Sequence, residues 1–245
     1  IPPPGPPPEW FTTFAVDAMF YSAARRARDR AEVARKAIAR AEKKVFLCRA
    51  RMDRLKERAE DRGEDMRYED FEPLAIQMES LEFAVVEAHG PVLRELAIAQ
   101  IMSAQSLEAH INIRGEALLS TREWSAFERM ALDSKWLFLP GNLGLTGFDV
   151  GAEPFQSFDR LIKTRNRLVH YKMQKEPYHG FEDPDSFAQK LRLTFEDVDR
   201  SIGTVKGMVG TLAKQLGDPR GPWWLESEGS HFFEVREDSK KKSKS

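Results

Sequence analysis

Apolar residues between Phe20 and Leu55 recur at alternating steps of four and three: Phe20, Ala24, Ala27, Ala31, Ala34, Ile38, Ala41, Val45, Cys48, Met52 and Leu55. That is a heptad seam, and it predicts one long helix over residues 11–62. At a rise of ~1.5 Å per residue the helix spans about 75 Å. The alanines in the seam let a partner helix approach closely. Gly63 is the expected stop, because glycine accepts the left-handed conformation that ends helices. The same rhythm resumes in Leu74, Met78, Leu81, Val85, Ala88 and Val92. Gly90-Pro91 interrupts it, as a kink or a true break. Helix then continues through Leu96, Ile101, Leu107 and Ile111 to about Leu119. Two stretches of similar length joined near Gly63 predict an antiparallel helical hairpin.

Downstream the elements are shorter. Ser120 and Glu123 have the spacing of a capping box. They open a helix expected to run through Trp124, Phe127, Met130 and Trp136 and to end before Pro140. Gly141, Gly144 and Gly147 mark a loop. Pro154 suits the first position of the next helix, which carries Phe155, Phe158 and Leu161 and is expected to reach Lys175, with Leu161, Leu168 and Val169 as its apolar stripe. Pro177, Gly180 and Pro184 mark a second loop. Thr194 and Asp197 cap a last helix with Val198, Ile202, Val205, Val209, Leu212 and Leu216 on one side, ended by Gly217 and the turn at 219–222. The expected fold is all-α, a long coiled-coil-like hairpin followed by an up-down helical bundle. The expected division is a proline-rich arm at 1–9, the hairpin at 10–90, the bundle at 91–217 and a mobile tail at 218–245.

Charge sharpens this picture. The 245 residues carry a net charge of −1, but 31% of them are charged and the signs are segregated. Residues 25–58 are mostly basic and 60–95 mostly acidic, so the hairpin arms neutralise each other when packed. Arg25, Arg26, Arg28 and Arg30 read as a solvated helix face rather than a nucleic-acid contact. Cys48 is the single cysteine, which rules out a disulfide within the chain and fits a reducing, cytoplasmic setting. The five histidines lack ligand spacing, so no metal or other cofactor is expected. No apolar run reaches the ~20 residues of a membrane span. Ile1 rather than Met heads the chain, so the natural start is expected upstream.

The candidate chemistry lies between Leu161 and Lys175. Asn166 and His170 are four apart and share a helix face. Arg165 points elsewhere on the wheel but is long enough to curl toward His170. Arginine grips phosphate with a planar, permanently charged fork, and histidine exchanges a proton near neutrality. Arg160, Lys163, Arg167, Lys172 and Lys175 surround this set, with no acid between Arg160 and Lys175, and Tyr171 adds an aromatic ring. An anionic polymer is the ligand such a patch fits.

The string Arg165-Asn166-Arg167-Leu168-Val169-His170-Tyr171 resembles the Arg-polar-x-x-x-His signature of the HEPN superfamily of helical proteins. The resemblance covers roughly residues 92–216. It also takes in Glu108 and Asn112, four apart on the helix that precedes the Arg-His helix. The stretch Lys135-Trp136-Leu137-Phe138-Leu139-Pro140 and Pro154-Phe155-Gln156 are further similar to an uncharacterised bacterial branch.

The resemblance implies a homodimer acting as a metal-independent endoribonuclease that leaves 2′,3′-cyclic phosphate. His170 would be acid or base and Arg165 the phosphate clamp. Asn166 would orient the reacting groups, Glu108 would tune His170, and Asn112 would lie behind them. A toxin or defence role with an antitoxin or regulatory partner is also implied. The alternative is a non-catalytic RNA- or nucleotide-binding protein, or a dimerisation module. His110 reads as a surface or interface residue, and Trp124 and Trp136 as core rather than base-stacking groups.

Overall fold

The computed structural model describes residues 10–63, 68–170, 184–218, 221–226 and 233–237. The order is β1 (Trp10–Phe14), α1 (Val16–Asp61), α2 (Tyr68–Leu118), α3 (Thr121–Phe127), α4 (Leu132–Asn142), α5 (Phe155–Val169), α6 (Pro184–Leu191), α7 (Phe195–Gln215), a 3-10 turn (Trp223–Leu225) and β2 (Phe233–Glu237). Among the described residues the fold is all-α apart from one two-stranded ribbon. The chain divides into two compact units. One comprises residues 1–23, 102–162 and 201–245, the other 24–101 and 163–200.

The second unit contains most of the hairpin. Its pairings descend along one arm as they ascend the other: Arg30 with Glu95 at 2.8 Å, Arg49 with Glu82 at 3.6 Å, and Lys56 over the ring of Phe71 at 5.5 Å. That order makes the two helices antiparallel. The heptad seam is the buried face: Ala24, Ala27, Ala31, Ile38 and Cys48 are buried, and Ala34, Ala41, Val45, Met52 and Leu55 are half-buried. Gly63 has φ +64° and follows the last turn of α1, the expected stop. Helix α2 runs through Gly90-Pro91 without a break. Proline there removes one backbone donor. Val92 and Leu96, buried just beyond it, hold the helix in line.

In the same unit α7 starts where predicted. The N–H of Asp197 donates to Thr194 Oγ1 at 3.1 Å, and the Thr194 hydroxyl donates to Asp197 Oδ2 at 2.9 Å. Arg28 grips Asp199 with two bonds of 2.8 and 3.3 Å. Pro184, expected in a loop, instead begins α6.

The first unit is built on an aromatic core. Tyr21, Leu107, Ile111, Phe127, Trp136, Leu139, Phe158, Leu161, Met208, Leu212 and Trp224 form one buried cluster. Each large apolar side chain so buried contributes about 1.5–3 kcal/mol. Gly115 is required here, because a Cβ at that position would lie 2.4 Å from the Phe127 ring. The Ser120–Glu123 capping box forms as predicted, with Ser120 N–H donating to Glu123 Oε2 at 2.9 Å. The hydrogen bonds from Ser120 hold the Glu123 carboxyl below its usual range.

Other predicted elements differ. The helix expected from Phe11 begins only at Val16, because Trp10–Phe14 is extended and pairs antiparallel with Phe233–Glu237, Thr12 opposite Val235. Aromatic and β-branched residues favour that conformation. The segment 233–237 is therefore a strand rather than part of a mobile tail. The single helix expected after Ser120 is two, α3 and α4, separated by a turn at 128–131, and Pro140 lies inside α4. Pro154 immediately precedes α5 instead of opening it, and its peptide bond to Glu153 is cis. The arm at 1–9 lies outside the described residues.

Candidate functional site

Helix α5 is strongly amphipathic, and its inward face is Phe158, Leu161, Thr164 and Leu168, spaced three and four apart. Val169, expected on that stripe, is about half exposed. The helix ends at Val169 rather than at Lys175. His170 is the residue after its last turn, with its backbone N–H bonded to the Asn166 carbonyl at 2.9 Å.

The second unit brings Arg165, Asn166 and His170 onto one and a half turns of chain. Arg165 Nη1 donates to Asn166 Oδ1 at 3.0 Å. Arg165 is half-buried, because it lies four residues from Leu161 at the edge of the inward stripe. Asn166 and His170 are exposed. The result is a guanidinium with a fixed neighbour and an imidazole open to solvent one turn away.

The surrounding cations are distributed differently from the simple basic patch. Arg167 is exposed, but its Nη1 donates to the Lys190 carbonyl at 2.7 Å, tying the end of α5 to α6. Lys163 is exposed in the same unit. Arg160 belongs to the first unit and lines a hollow of about 440 Å³ with Val150, Phe155, Gln156 and Asp159. Tyr171, Lys172 and Lys175 lie outside the described residues.

Glu108 and Asn112 belong to the first unit, where both are half-buried on α2. Asn112 has a structural commitment there. Its Oδ1 accepts from Lys135 Nζ at 2.8 Å, and that ammonium lies 5.6 Å from the Phe127 ring. Lys135 is only 4% exposed, so an amide oxygen and an aromatic face stand in for the water it has lost.

The sequence reading missed two constellations. The first is a buried pair in the first unit. His110 Nδ1 lies 2.8 Å from Asp17 Oδ2, while the other carboxylate oxygen accepts the Ala18 N–H and the Asp17 carbonyl accepts from Ser106 Oγ. The carboxylate makes Nδ1 the protonated nitrogen. Nε2 is buried without a hydrogen-bond partner among the described residues, and the ring lies stacked with Trp136 and edge-on to Trp224, with centroids 6.3 and 6.0 Å away. Burial pushes the imidazole below its ordinary pKa, against the upward pull of Asp17. His110 is thus core, not surface or interface. The signal was present: Asp17 extends the heptad seam three residues before Phe20, and His110 falls three after Leu107. At Asp17 a polar residue stands where the rhythm calls for an apolar one, and His110 stands beside Ile111 on the same apolar face. Trp136 is core as expected, and Trp124 is half-buried against it.

The second is a hollow of about 660 Å³ in the second unit, floored by Ile38, Val92, Leu96, Leu193 and Phe195. It brings together residues far apart in sequence, and no local motif announced it. Arg28 and Arg35 both stack on Phe195, at 5.3 and 4.9 Å.

No protein-family model matches the chain, and neither a curated protein nor a solved structure matches it.

Proposed function

We propose that the protein is a HEPN-like, metal-independent endoribonuclease. The observation that carries this reading is the set on α5: Arg165 fixed to Asn166 at 3.0 Å, with the exposed imidazole of His170 one turn away. RNA supplies its own nucleophile. His170 takes the 2′-hydroxyl proton as the 2′-oxygen bonds to phosphorus, and Arg165 stabilises the charge gathering on the phosphate oxygens. The bond to the 5′-oxygen breaks, leaving a 2′,3′-cyclic phosphate. The departing oxygen needs a proton, which a second copy's imidazole supplies in a homodimer. Lys163 and Arg167 add positive charge nearby. Glu108 enters only through the family resemblance. Asn112, whose oxygen holds Lys135, has only its amide N–H groups to offer. A toxin or defence role, controlled by an antitoxin or other regulatory protein, follows from the same family reading.

The test is cleavage of varied RNAs in EDTA. The parent chain cleaves and His170→Ala does not, while RNA binding survives. Arg165→Lys rescues little, since an ammonium does not reproduce the planar fork. Activity that requires magnesium, or that survives His170→Ala, overturns the mechanism. A second reading is favoured by the half-burial of Arg165 and its bond to a neighbour: the set orients a basic surface that binds RNA or a nucleotide without cutting it. Binding without cleavage across those RNAs selects that reading.

A further inference from the structure

The outer faces of the hairpin carry large apolar side chains that its own seam does not use. On α1, Phe46 and Leu47 are 70% and 55% exposed. On α2, Ile76, Phe83 and Val86 are 62%, 51% and 37% exposed, spaced seven and three apart like a second heptad stripe. Single exposed apolar residues are ordinary, but a stripe at heptad spacing on a coiled-coil helix has the form of an unoccupied seam.

The charges around these groups name the occupant. Phe46 and Leu47 are flanked by Lys43, Lys44 and Arg51, none of which forms an ion pair among the described residues. The α2 stripe is flanked by Glu72, Glu79 and Glu87, likewise without ion pairs among the described residues, and no lysine or arginine occurs between Tyr68 and Leu93. One arm therefore presents apolar groups in a basic border, and the other presents them in an acidic border. A two-fold pairing of hairpins sets basic α1 of each copy against acidic α2 of the other, and does so twice. We propose that the hairpin is a self-association surface whose occupant is a second copy of this chain. This goes beyond the nuclease reading, whose dimer centres on α5.

The test uses the full chain and sedimentation equilibrium at micromolar concentrations. The parent is a dimer that weakens several-fold between about 0.05 and 0.5 M salt, because exposed charge pairs are screened. Phe46→Ser with Phe83→Ser weakens it at least tenfold with helix content unchanged by circular dichroism. The charge swaps give the sharper result. Lys43→Glu with Lys44→Glu associates at least tenfold more weakly than the parent, and so does Glu79→Lys with Glu87→Lys, yet an equimolar mixture of the two variants restores the parent's association. His170→Ala and Arg165→Ala leave the dimer intact, which separates this surface from one built on α5. A monomeric parent overturns the proposal and leaves the stripes to a different partner. A dimer indifferent to both charge swaps, or a mixture that fails to restore it, overturns it too.

Discussion

Two histidines in this chain occupy opposite environments. His110 is 2% exposed, bonded through Nδ1 to a buried carboxylate, stacked with Trp136 and edge-on to Trp224. His170 is exposed at the end of α5, and its backbone N–H is bonded to the Asn166 carbonyl in the turn before it. A buried imidazole with a dedicated carboxylate superficially looks the more catalytic. Yet no substrate reaches it, and burial lowers its pKa despite the carboxylate. Among the described residues the exposed imidazole has no such partner, and it lies five residues along the chain from an arginine bonded to Asn166. Access, more than the presence of a carboxylate, separates a residue that holds the fold from one that can act on a ligand.

The contrast is broken most decisively by removing each ring in turn. His170→Ala is expected to lower RNA cleavage by about 10²–10⁴-fold, the usual worth of a general acid or base. Its unfolding free energy is expected to stay within about 0.5 kcal/mol of the parent, as for other surface changes. His110→Ala is expected to do the reverse. It leaves the Asp17 carboxylate buried without its partner and opens space beside Trp136, costing about 3 kcal/mol of stability. Denaturant unfolding of both variants, beside cleavage of the same RNA, checks the pair. A His110→Ala chain as stable as the parent removes the structural role assigned to the Asp17 pair.

Titration sharpens the same comparison. In the unfolded chain the His110 imidazole takes up its proton near pH 6.5. In the folded chain it does so only at lower pH, because the buried ring resists charge. Above about pH 6.5 both states are neutral at this group, and its contribution is constant. As pH falls below that value the unfolded state binds more protons, so stability declines, by at most about 1.4 kcal/mol per pH unit, and levels off once the folded ring also protonates. Thermal unfolding between pH 7.5 and about 5 should show this decline in the parent and a shallower one in His110→Gln. Equal slopes would place the pH sensitivity elsewhere.

Much of this architecture was legible because its causes are local. The hairpin followed from a heptad seam whose positions are all buried or half-buried, the Gly63 stop from a residue that accepts positive φ, and two helix starts from capping residues at fixed offsets. What escaped needed partners distant in sequence. Trp10–Phe14 is a strand only because Phe233–Glu237 pairs with it, although the apolar-polar alternation of the latter was visible. Lys135 is buried because Asn112 and Phe127 receive it, and nothing next to it in sequence says so. The site was legible to the same degree. The helix over Arg165 and Asn166 was legible from local pattern, but the bond between these two side chains was not anticipated, since Arg165 was expected to curl toward His170. The place of Arg165 at the edge of the inward stripe was not anticipated either, since Val169 was assigned to that stripe in error. Glu108 belongs to the first unit and Arg165 to the second.

The mildest test of what a partnered polar group contributes is the cap of α7. Thr194 Oγ1 accepts the Asp197 N–H at 3.1 Å and returns a hydrogen bond to the Asp197 carboxylate at 2.9 Å. The first turn of a helix has N–H groups with no carbonyl to meet, and this hydroxyl satisfies one of them. Thr194→Ala therefore removes an interaction that water only partly replaces, and stability should fall by about 1 kcal/mol. Thr194→Ser keeps the oxygen and should recover most of that loss. Cleavage should be unchanged in both, because Thr194 lies outside the set on α5. Urea unfolding of the three chains decides the matter. If serine proves as damaging as alanine, the threonine methyl matters more than the cap. If neither variant loses stability, this turn frays at no cost, and the contrast between partnered and exposed polar groups does not extend to helix ends.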